Sequence, residues 1–256
     1  MPKVALITGG GAGLGREVAF GLGRRGLTVV IADRDGEAGQ LTANDAAREG
    51  IGIRFVAADL SLPDAAGEVV ANVLATEGRL DVLVNNVGFG RGERFVDMEP
   101  ATWDLTYALN VRVCAFAMQS AAKHMSERGS GRIVNITSPA SRMALPNYTA
   151  YGASKAAVDS LTRSAAVALA PHGIQVNSLA PGMMNTAMQR QTELQFAAAE
   201  GRADIDTFLA ERTARIPVGR RTSCEEVASG VVWLALDAPD YVVAERLNFS
   251  GGLDRD

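Results

Sequence analysis

The stretch "VALITGGGAGLGREVAFGLGRRG", residues 4–26, decides how this chain is read. A short apolar run of strand length gives way to a glycine-rich turn, and helix-compatible residues follow at once. Glycines at positions 9, 13 and 15 let the backbone turn tightly and approach a ligand closely. The helix that follows offers unpaired N–H groups and a positive dipole end, so a diphosphate is the ligand such a cradle fits. The second apolar run, TVVIA (28–32), leads to Asp33, 20 residues beyond Gly13. A carboxylate there accepts hydrogen bonds from an adenosine ribose and repels a 2′-phosphate, which points to NAD, with NADP the less favoured cofactor. Arg34 opposes that choice if it pairs with a 2′-phosphate, and is neutral to it if it is a solvated residue at a helix start. Asp59, in "VAADL", has two readings: a contact to the adenine, or an N-cap of the next helix.

The same alternation continues down the chain. Apolar runs at IRFVAA (53–58), DVLVN (81–85), RIVNIT (132–137) and IQVNSLA (174–180) are separated by helix-length segments. Runs of Val, Ile and Leu without strict alternation are strands covered on both faces, and helical crossovers between them make the sheet parallel. A single doubly wound α/β domain over residues 1–256 follows, with no linker or internal repeat to divide it. The rhythm breaks between Pro181 and Pro217, where residues 187–213 read as two short amphipathic helices. Such an excursion is either a substrate lid or a surface insertion with no role.

Composition narrows the partners. A formal net charge of −4 without long runs of like charge gives no footprint for nucleic acid or an anionic membrane surface. No stretch approaches about 18 consecutive apolar residues. The reading is therefore a soluble cytoplasmic protein acting on a small molecule. Cys114 and Cys224 have neither disulfide nor metal spacing and read as buried or incidental thiols. His124 and His172 read as surface residues on separate elements; no metal site is expected.

The octapeptide "YTAYGASK" (148–155) carries the candidate chemistry. On a helix Tyr151 and Lys155 are four apart and share a face, whereas Tyr148 and Lys155 are seven apart, about 10 Å along the axis. Only Tyr151 feels the ammonium strongly, and a nearby positive charge favours phenolate, bringing a phenol closer to the pH at which it exchanges a proton with an alcohol.

Together with "TGGGAGLG" (8–15), "NNVG" (85–88), "LNV" around Asn110, "IVNITS" ending at Ser138, "VNSLAPGMMNT" (176–186) and "LNFSGG" (247–252), this segment resembles the classical short-chain dehydrogenase/reductase family over nearly the whole chain. The resemblance implies a Rossmann fold with a mostly parallel seven-stranded sheet flanked by helices, and an oxidoreductase that moves a hydride between a nicotinamide and a secondary alcohol or ketone. It implies that Ser138 holds the substrate oxygen, Tyr151 is the acid or base, Lys155 lowers the tyrosine pKa and holds the nicotinamide ribose, and Asn110 anchors a relay water. Cofactor contacts carried over by position are Gly9, Gly13, Leu14, Gly15, Asp33, Arg34, Asp59, Leu60, Asn86, Gly88, Tyr151, Lys155, Pro181, Gly182, Met184 and Thr186, the last on the carboxamide. A homotetramer is the usual assembly.

Tyr148 and Lys155 also satisfy the wider spacing of the enoyl-reductase branch, but Ser138, thirteen residues before Tyr151, matches the carbonyl reductases. Four departures stand out: Val87 where the family usually has Ala, Pro139 after the serine, Ala244 in place of the usual Gly, and Arg246 in place of an apolar strand residue. The substrate reading is a small polar polyol or sugar-derived alcohol, suggested by Arg91, Arg94 and Arg142. Phe89 and the methionines of 182–191 favour the alternatives, apolar cyclic ketones or 3-oxoacyl groups. A non-catalytic NAD-sensing protein is the rival class.

Overall fold

The structure is a computed structural model and describes residues 2–254. Its strands are β1 (Val4–Thr8), β2 (Thr28–Asp33), β3 (Ile53–Ala57), β4 (Val82–Asn85), β5 (Gly131–Ile136), β6 (Ile174–Pro181) and β7 (Arg246–Phe249). They form one sheet in the order β3-β2-β1-β4-β5-β6-β7. Every pairing is parallel, so the sheet is wholly rather than mostly parallel.

Period-two alternation splits the strand residues between two cores. Val4 and Leu6 of β1 pack with α3 (Ala65–Glu77) and α5 (Val113–Arg128), together with Val158 and Ala166 of α6 (Thr149–Leu169). Ala5 and Ile7 face the other way, against α1 (Gly13–Arg24) and α9 (Cys224–Val232). With both faces covered, these strands need no polar side, which is why they read as unbroken apolar runs. The remaining helices are α2 (Gly36–Arg48), α4 (Pro100–Tyr107), α7 (Ala187–Ala199) and α8 (Ile205–Ala214). Between α4 and α5 the chain widens to a π-helical turn over Ala108–Arg112. No helix among the described residues is long and apolar enough to cross a membrane.

Sequential strands run outward from β1 to β3, and the chain then returns to place β4 on the other side of β1. This reversal opens a crevice at the carboxyl ends of β1 and β4, the place where open α/β sheets take ligands.

Ala244, just before β7, is the one non-glycine residue with positive φ among those described, at 62°, and its N–H donates to the Val176 carbonyl at 3.0 Å. The left-handed conformation costs a residue with a Cβ about 1–2 kcal/mol, against about 0.5–1 kcal/mol for the extra backbone freedom of glycine in the unfolded chain. Ala244→Gly is therefore expected to raise stability by up to about 1 kcal/mol, read as a higher denaturant midpoint at unchanged slope. A lower midpoint would mean that the strain is relieved elsewhere.

Candidate active site

The glycine turn sits at the β1–β4 crevice, where Thr8 pairs with Asn85 in register. Gly9 has φ 67°, and a Cβ on it would lie 2.9 Å from the Val87 Cα. A Cβ on Gly15 would fall 2.1 Å from the Gly9 carbonyl oxygen, so helix α1 approaches the strand end only because that side chain is absent. Gly13, by contrast, faces open space, its nearest neighbour being the Thr186 methyl at 4.0 Å. The cradle is thus closed underneath and clear above. The Asn86 amide braces it from the side by donating to the carbonyls of Thr8 (3.0 Å) and Gly9 (2.8 Å).

Asp33 stands at the end of β2 with both oxygens oriented by backbone: Oδ2 accepts from Gly11 N–H at 2.9 Å and Oδ1 from Asp35 N–H at 3.1 Å. Each oxygen keeps a lone pair for a further donor. Gly11, which makes this link and whose carbonyl accepts from Thr42 Oγ1 at 2.9 Å, is a site residue the glycine spacing did not single out. Arg34 is exposed. The Asp59 carboxyl is held below its usual range first by the Ser61 hydroxyl and amide, and to a lesser extent by Arg34. Asp59 closes a turn onto Ser61 at 3.0 and 2.7 Å. The N-cap position of α3 belongs to Asp64, so the helix-cap reading of Asp59 is overturned. Leu14 and Leu60 bury their side chains in the core and leave only backbone for a ligand.

Across the crevice, α6 carries Tyr151 and Lys155. Lys155 is 4% exposed and its Nζ donates to the Ile136 carbonyl at 2.8 Å. Nζ lies 5.5 Å from the centre of the Tyr151 ring. Burial pushes the Tyr151 phenol up to about 12, with a hydrogen bond to Ser138 acting in the opposite sense. Burial likewise brings the ammonium of Lys155 down to about 8, against the opposing influence of Cys114 and Asp159. Burial, rather than the neighbouring ammonium, is therefore the dominant influence on the phenol in this state.

Ser138 follows β5 and its Oγ accepts from Ala140 N–H at 3.2 Å, which leaves the hydroxyl proton for the Tyr151 phenol. Asn110 lies in the π-helical turn, 2% exposed, its Oδ1 accepting from Phe89 N–H at 2.7 Å and its Nδ2 donating to the Phe89 carbonyl at 2.9 Å and to Ser154 Oγ at 2.8 Å. The polar amide in an apolar helix is thus fully partnered, and it pins the loop after β4. A Cβ on Gly88 would lie 3.4 Å from Asn110 Oδ1 and 3.6 Å from Lys155 Nζ, so this glycine keeps the space between them open.

Tyr148 stands just outside α6, its ring stacked on Tyr151 at 4.3 Å and edge-on to Phe196 at 5.1 Å. Its phenol is raised by burial and bonded to Thr192. Its ring thus packs between Tyr151 and Phe196. Pro181 ends β6, Gly182 passes so close to Ser250 that a Cβ would be 2.9 Å from its Cα, and Met184 bridges to Thr222. Thr186 caps α7 by accepting from Gln189 N–H at 3.1 Å. Beside it opens a cavity lined by Met184, Asn185, Thr186, Arg190, Leu209 and Arg221.

The segment 187–213 does fold as two helices, and it is tied down more firmly than its irregular pattern suggests. Phe196, Ala197 and Phe208 form a small core with Tyr148. Glu193, fully buried, takes both arms of Arg221 at 2.8 and 3.0 Å and Arg212 Nε at 3.1 Å. Its place in an apolar helix stripe was the signal, but nothing in the spacing tells that the arginines of α8 and of the loop before α9 converge on it. His124 is half-buried on α5 rather than at the surface, because Ala121, Ala122 and Met125 beside it point into the core; His172 is exposed. Both cysteines are free, Cys114 buried and Cys224 partly so.

A family model described as short chain dehydrogenase matches residues 3–196, and the chain belongs to that family. It is 34% identical over 249 residues to gluconate 5-dehydrogenase of Gluconobacter oxydans (strain 621H), covering 97% of this chain and 93% of that one. Among solved structures, a gluconate 5-dehydrogenase from Burkholderia cenocepacia J2315 in complex with NADP and tartrate is 33% identical with a TM-score of 0.88, covering 98% of this chain and 94% of that one. An NAD+-bound xylitol dehydrogenase is 27% identical with a TM-score of 0.93, covering 98% of both chains. This chain is thus an oxidoreductase that transfers hydride between a nicotinamide cofactor and a secondary alcohol or ketone.

The buried ammonium has a consequence for stability. The Lys155 pKa falls from 10.5 to about 8 in the folded state, so between those values the unfolded chain holds the extra proton. Stability from this group therefore rises with pH across the interval and is lowest below about 8. The stability of the wild type relative to Lys155→Met should increase between pH 7 and 10, measured by denaturant unfolding at each pH. A difference that stays flat would mean that Lys155 is not desolvated.

Proposed function

We propose that this chain interconverts a small polar secondary alcohol, of polyol or sugar-acid type, and its ketone, using NAD(H) in preference to NADP(H). The observation that carries the reading is the placement of half-buried Tyr151 and buried Lys155 on one helix face, with Ser138 bonded to the phenol, directly across the crevice from the glycine cradle. The cradle fits a dinucleotide, because the face above Gly13 is clear and the Asp33 carboxylate waits at the end of β2. Gly9, Gly13, Gly15, Asn86 and Gly88 would shape its binding, Asp33 would take the adenosine ribose hydroxyls, and Thr186 the carboxamide.

When bound, the nicotinamide supplies the hydride acceptor or donor. The chain's own groups handle the proton. Ser138 Oγ–H holds the substrate oxygen, and Tyr151 Oη takes the alcohol proton or returns it to the ketone oxygen. Lys155 would hold the cofactor ribose and, when protonated, would put positive charge 5.5 Å from the centre of the Tyr151 ring. A phenol pushed up to about 12 is a poor base, and an oxidised nicotinamide, when bound, would add positive charge that favours phenolate. Asn110, fixed by Phe89 and Ser154, is placed to anchor a water at the π-helical turn, the kind of helix defect often found at functional sites. The relatives that act on gluconate and xylitol support the polar substrate, and the carboxylate at Asp33 supports NAD even though three structural relatives hold NADP or NADPH. Exposed Phe116, Val167 and Trp233 fit association into the homotetramer usual for the family.

Assays of gluconate, sorbitol, xylitol and ring alcohols with NAD and with NADP, read at the reduced-nicotinamide absorbance, test the assignment. The polar alcohols with NAD should turn over fastest. Tyr151→Phe should lower kcat by at least about 10²-fold with cofactor affinity little changed, while Tyr148→Phe keeps most activity. Loss on Tyr148→Phe with survival of Tyr151→Phe would return the enoyl-type reading.

The helices α7 and α8 are in the same reading a substrate lid, shut here by Phe196 on Tyr148 and by the ion pairs of Glu193. Breaking one partner of a buried pair is strongly destabilising locally. Glu193→Gln should speed amide exchange through 187–214 and raise KM for the alcohol more than it changes NAD affinity. Exchange equal to wild type would make the segment a rigid part of the fold.

A further inference from the structure

A guanidinium occupies a position in β7 where this family's strand is ordinarily apolar, and it is 8% exposed. Arg246 Nη2 donates to the Ser138 carbonyl at 3.0 Å, to Asp254 Oδ2 at 2.7 Å and, more weakly, to Ser141 Oγ at 3.4 Å. Its Nε lies 3.3 Å from Asp159 Oδ2 but is not aligned as a hydrogen bond, and Asp159 Oδ1 is likewise left without a partner. A buried arginine serving only Asp159 would meet it squarely. This one is turned instead toward the loop that carries Ser138.

That loop needs an outside donor. Within its own turn the Ser138 carbonyl accepts from Ser141 N–H alone, at 3.0 Å. The second donor is the guanidinium. Fixing the Ser138–Pro139 peptide also fixes the extended conformation of Ser138 (φ −167°, ψ 152°), from which its Oγ accepts from Ala140 N–H. The carboxylate on the far side is itself anchored: Asp254 N–H donates to Ser250 Oγ at 3.1 Å, and the Asp254 carbonyl accepts from Asn248 Nδ2 at 2.6 Å. Asp254 is 5% exposed, so the carboxylate that holds Arg246 is itself out of water.

We propose that Arg246, held by Asp254 and Asp159, is a positioning residue that locks the Ser138 loop in the geometry needed for hydrogen-bonding the substrate oxygen. The proposal rests on Ser138 as that hydrogen-bond donor. It predicts a defect in kcat rather than in cofactor binding, because Arg246 reaches the loop after β5 through a backbone carbonyl and makes no contact with the glycine cradle.

The test uses Arg246→Gln, Ser138→Ala and their combination in the full chain. Amide exchange, which needs no substrate, should speed by about tenfold or more at Ala140 and Ser141 in Arg246→Gln, with β1, β4 and the glycine turn unchanged. With the fastest alcohol of the gluconate, sorbitol and xylitol set, kcat should fall by about tenfold while the NADH dissociation constant stays within about twofold. Because Arg246 acts through Ser138, the double variant should be no slower than Ser138→Ala beyond about twofold. Unchanged exchange at 140–141, or losses that multiply in the double variant, would overturn the proposal. If Ser138→Ala alone keeps full kcat, the reading of Ser138 fails, and the exchange measurement still decides whether Arg246 holds the loop. Should Arg246→Gln not fold, Arg246→Lys, with one nitrogen in place of the fork, is expected to show the same pattern at smaller size.

Discussion

All seven strands run in one direction, and that constraint places every functional group of the molecule. In a parallel sheet each strand delivers its carboxyl end to the same edge, so Gly9 after β1, Asp33 at the end of β2, Asn86 after β4, Ser138 after β5 and Gly182 after β6 come together without any direct sequence link. The reversal of strand order beside β1 opens the crevice between them. Helix packing does the rest: α6 lies across this edge and lowers Tyr151 and Lys155 into it, while the fully partnered Asn110 ties α6, through Ser154, to the loop after β4.

The site is built at an electrostatic cost. Tyr151, Lys155, Glu193 and Arg246 are polar or charged groups removed from water, and each is kept there by a specific partner: Ser138, the Ile136 carbonyl, two arginines, two aspartates. Charge brought to such a site acts at short range and low screening. A cation brought beside the Tyr151 phenol, which burial pushes up to about 12, would favour its ionised form. The same desolvation makes the site sensitive to partners further away, since Asp159, one turn beyond Lys155, bears on both the lysine and Arg246.

Much of this was legible in the sequence where local rules decide the outcome. Gly9, Gly13 and Gly15 had to be glycine because a Cβ collides or the backbone turns left-handed there, and the turn between a strand and a helix announced that need. Apolar runs marked six of the strands because parallel strands are buried on both faces. The four-residue spacing puts Tyr151 and Lys155 on one face of α6, and Tyr148 stands just outside the helix, stacked on Tyr151. What escaped depends on long-range convergence. Of the two readings of Asp59 the cap falls to Asp64, Gly11 was passed over although its amide holds Asp33, and the influence of Lys155 on Tyr151 was weighed without the burial that raises the phenol. Arg246 and Ala244 were visible as departures from the family, but the partners that give Arg246 a purpose lie 87 residues away at Asp159 and 108 away at Ser138.

The central claim is that one edge of a parallel sheet brings a dinucleotide and the Ser138–Tyr151 pair onto the same substrate carbon. A crystal structure of the complex with NAD+ and a polyol or sugar acid that the enzyme turns over tests it most directly. The account predicts the reacting oxygen within hydrogen-bonding distance of both Ser138 Oγ and Tyr151 Oη, and the adenosine ribose hydroxyls on the Asp33 carboxylate. A substrate oxygen bound to Tyr148 instead, or an adenosine ribose turned away from Asp33 toward Arg34, would contradict it.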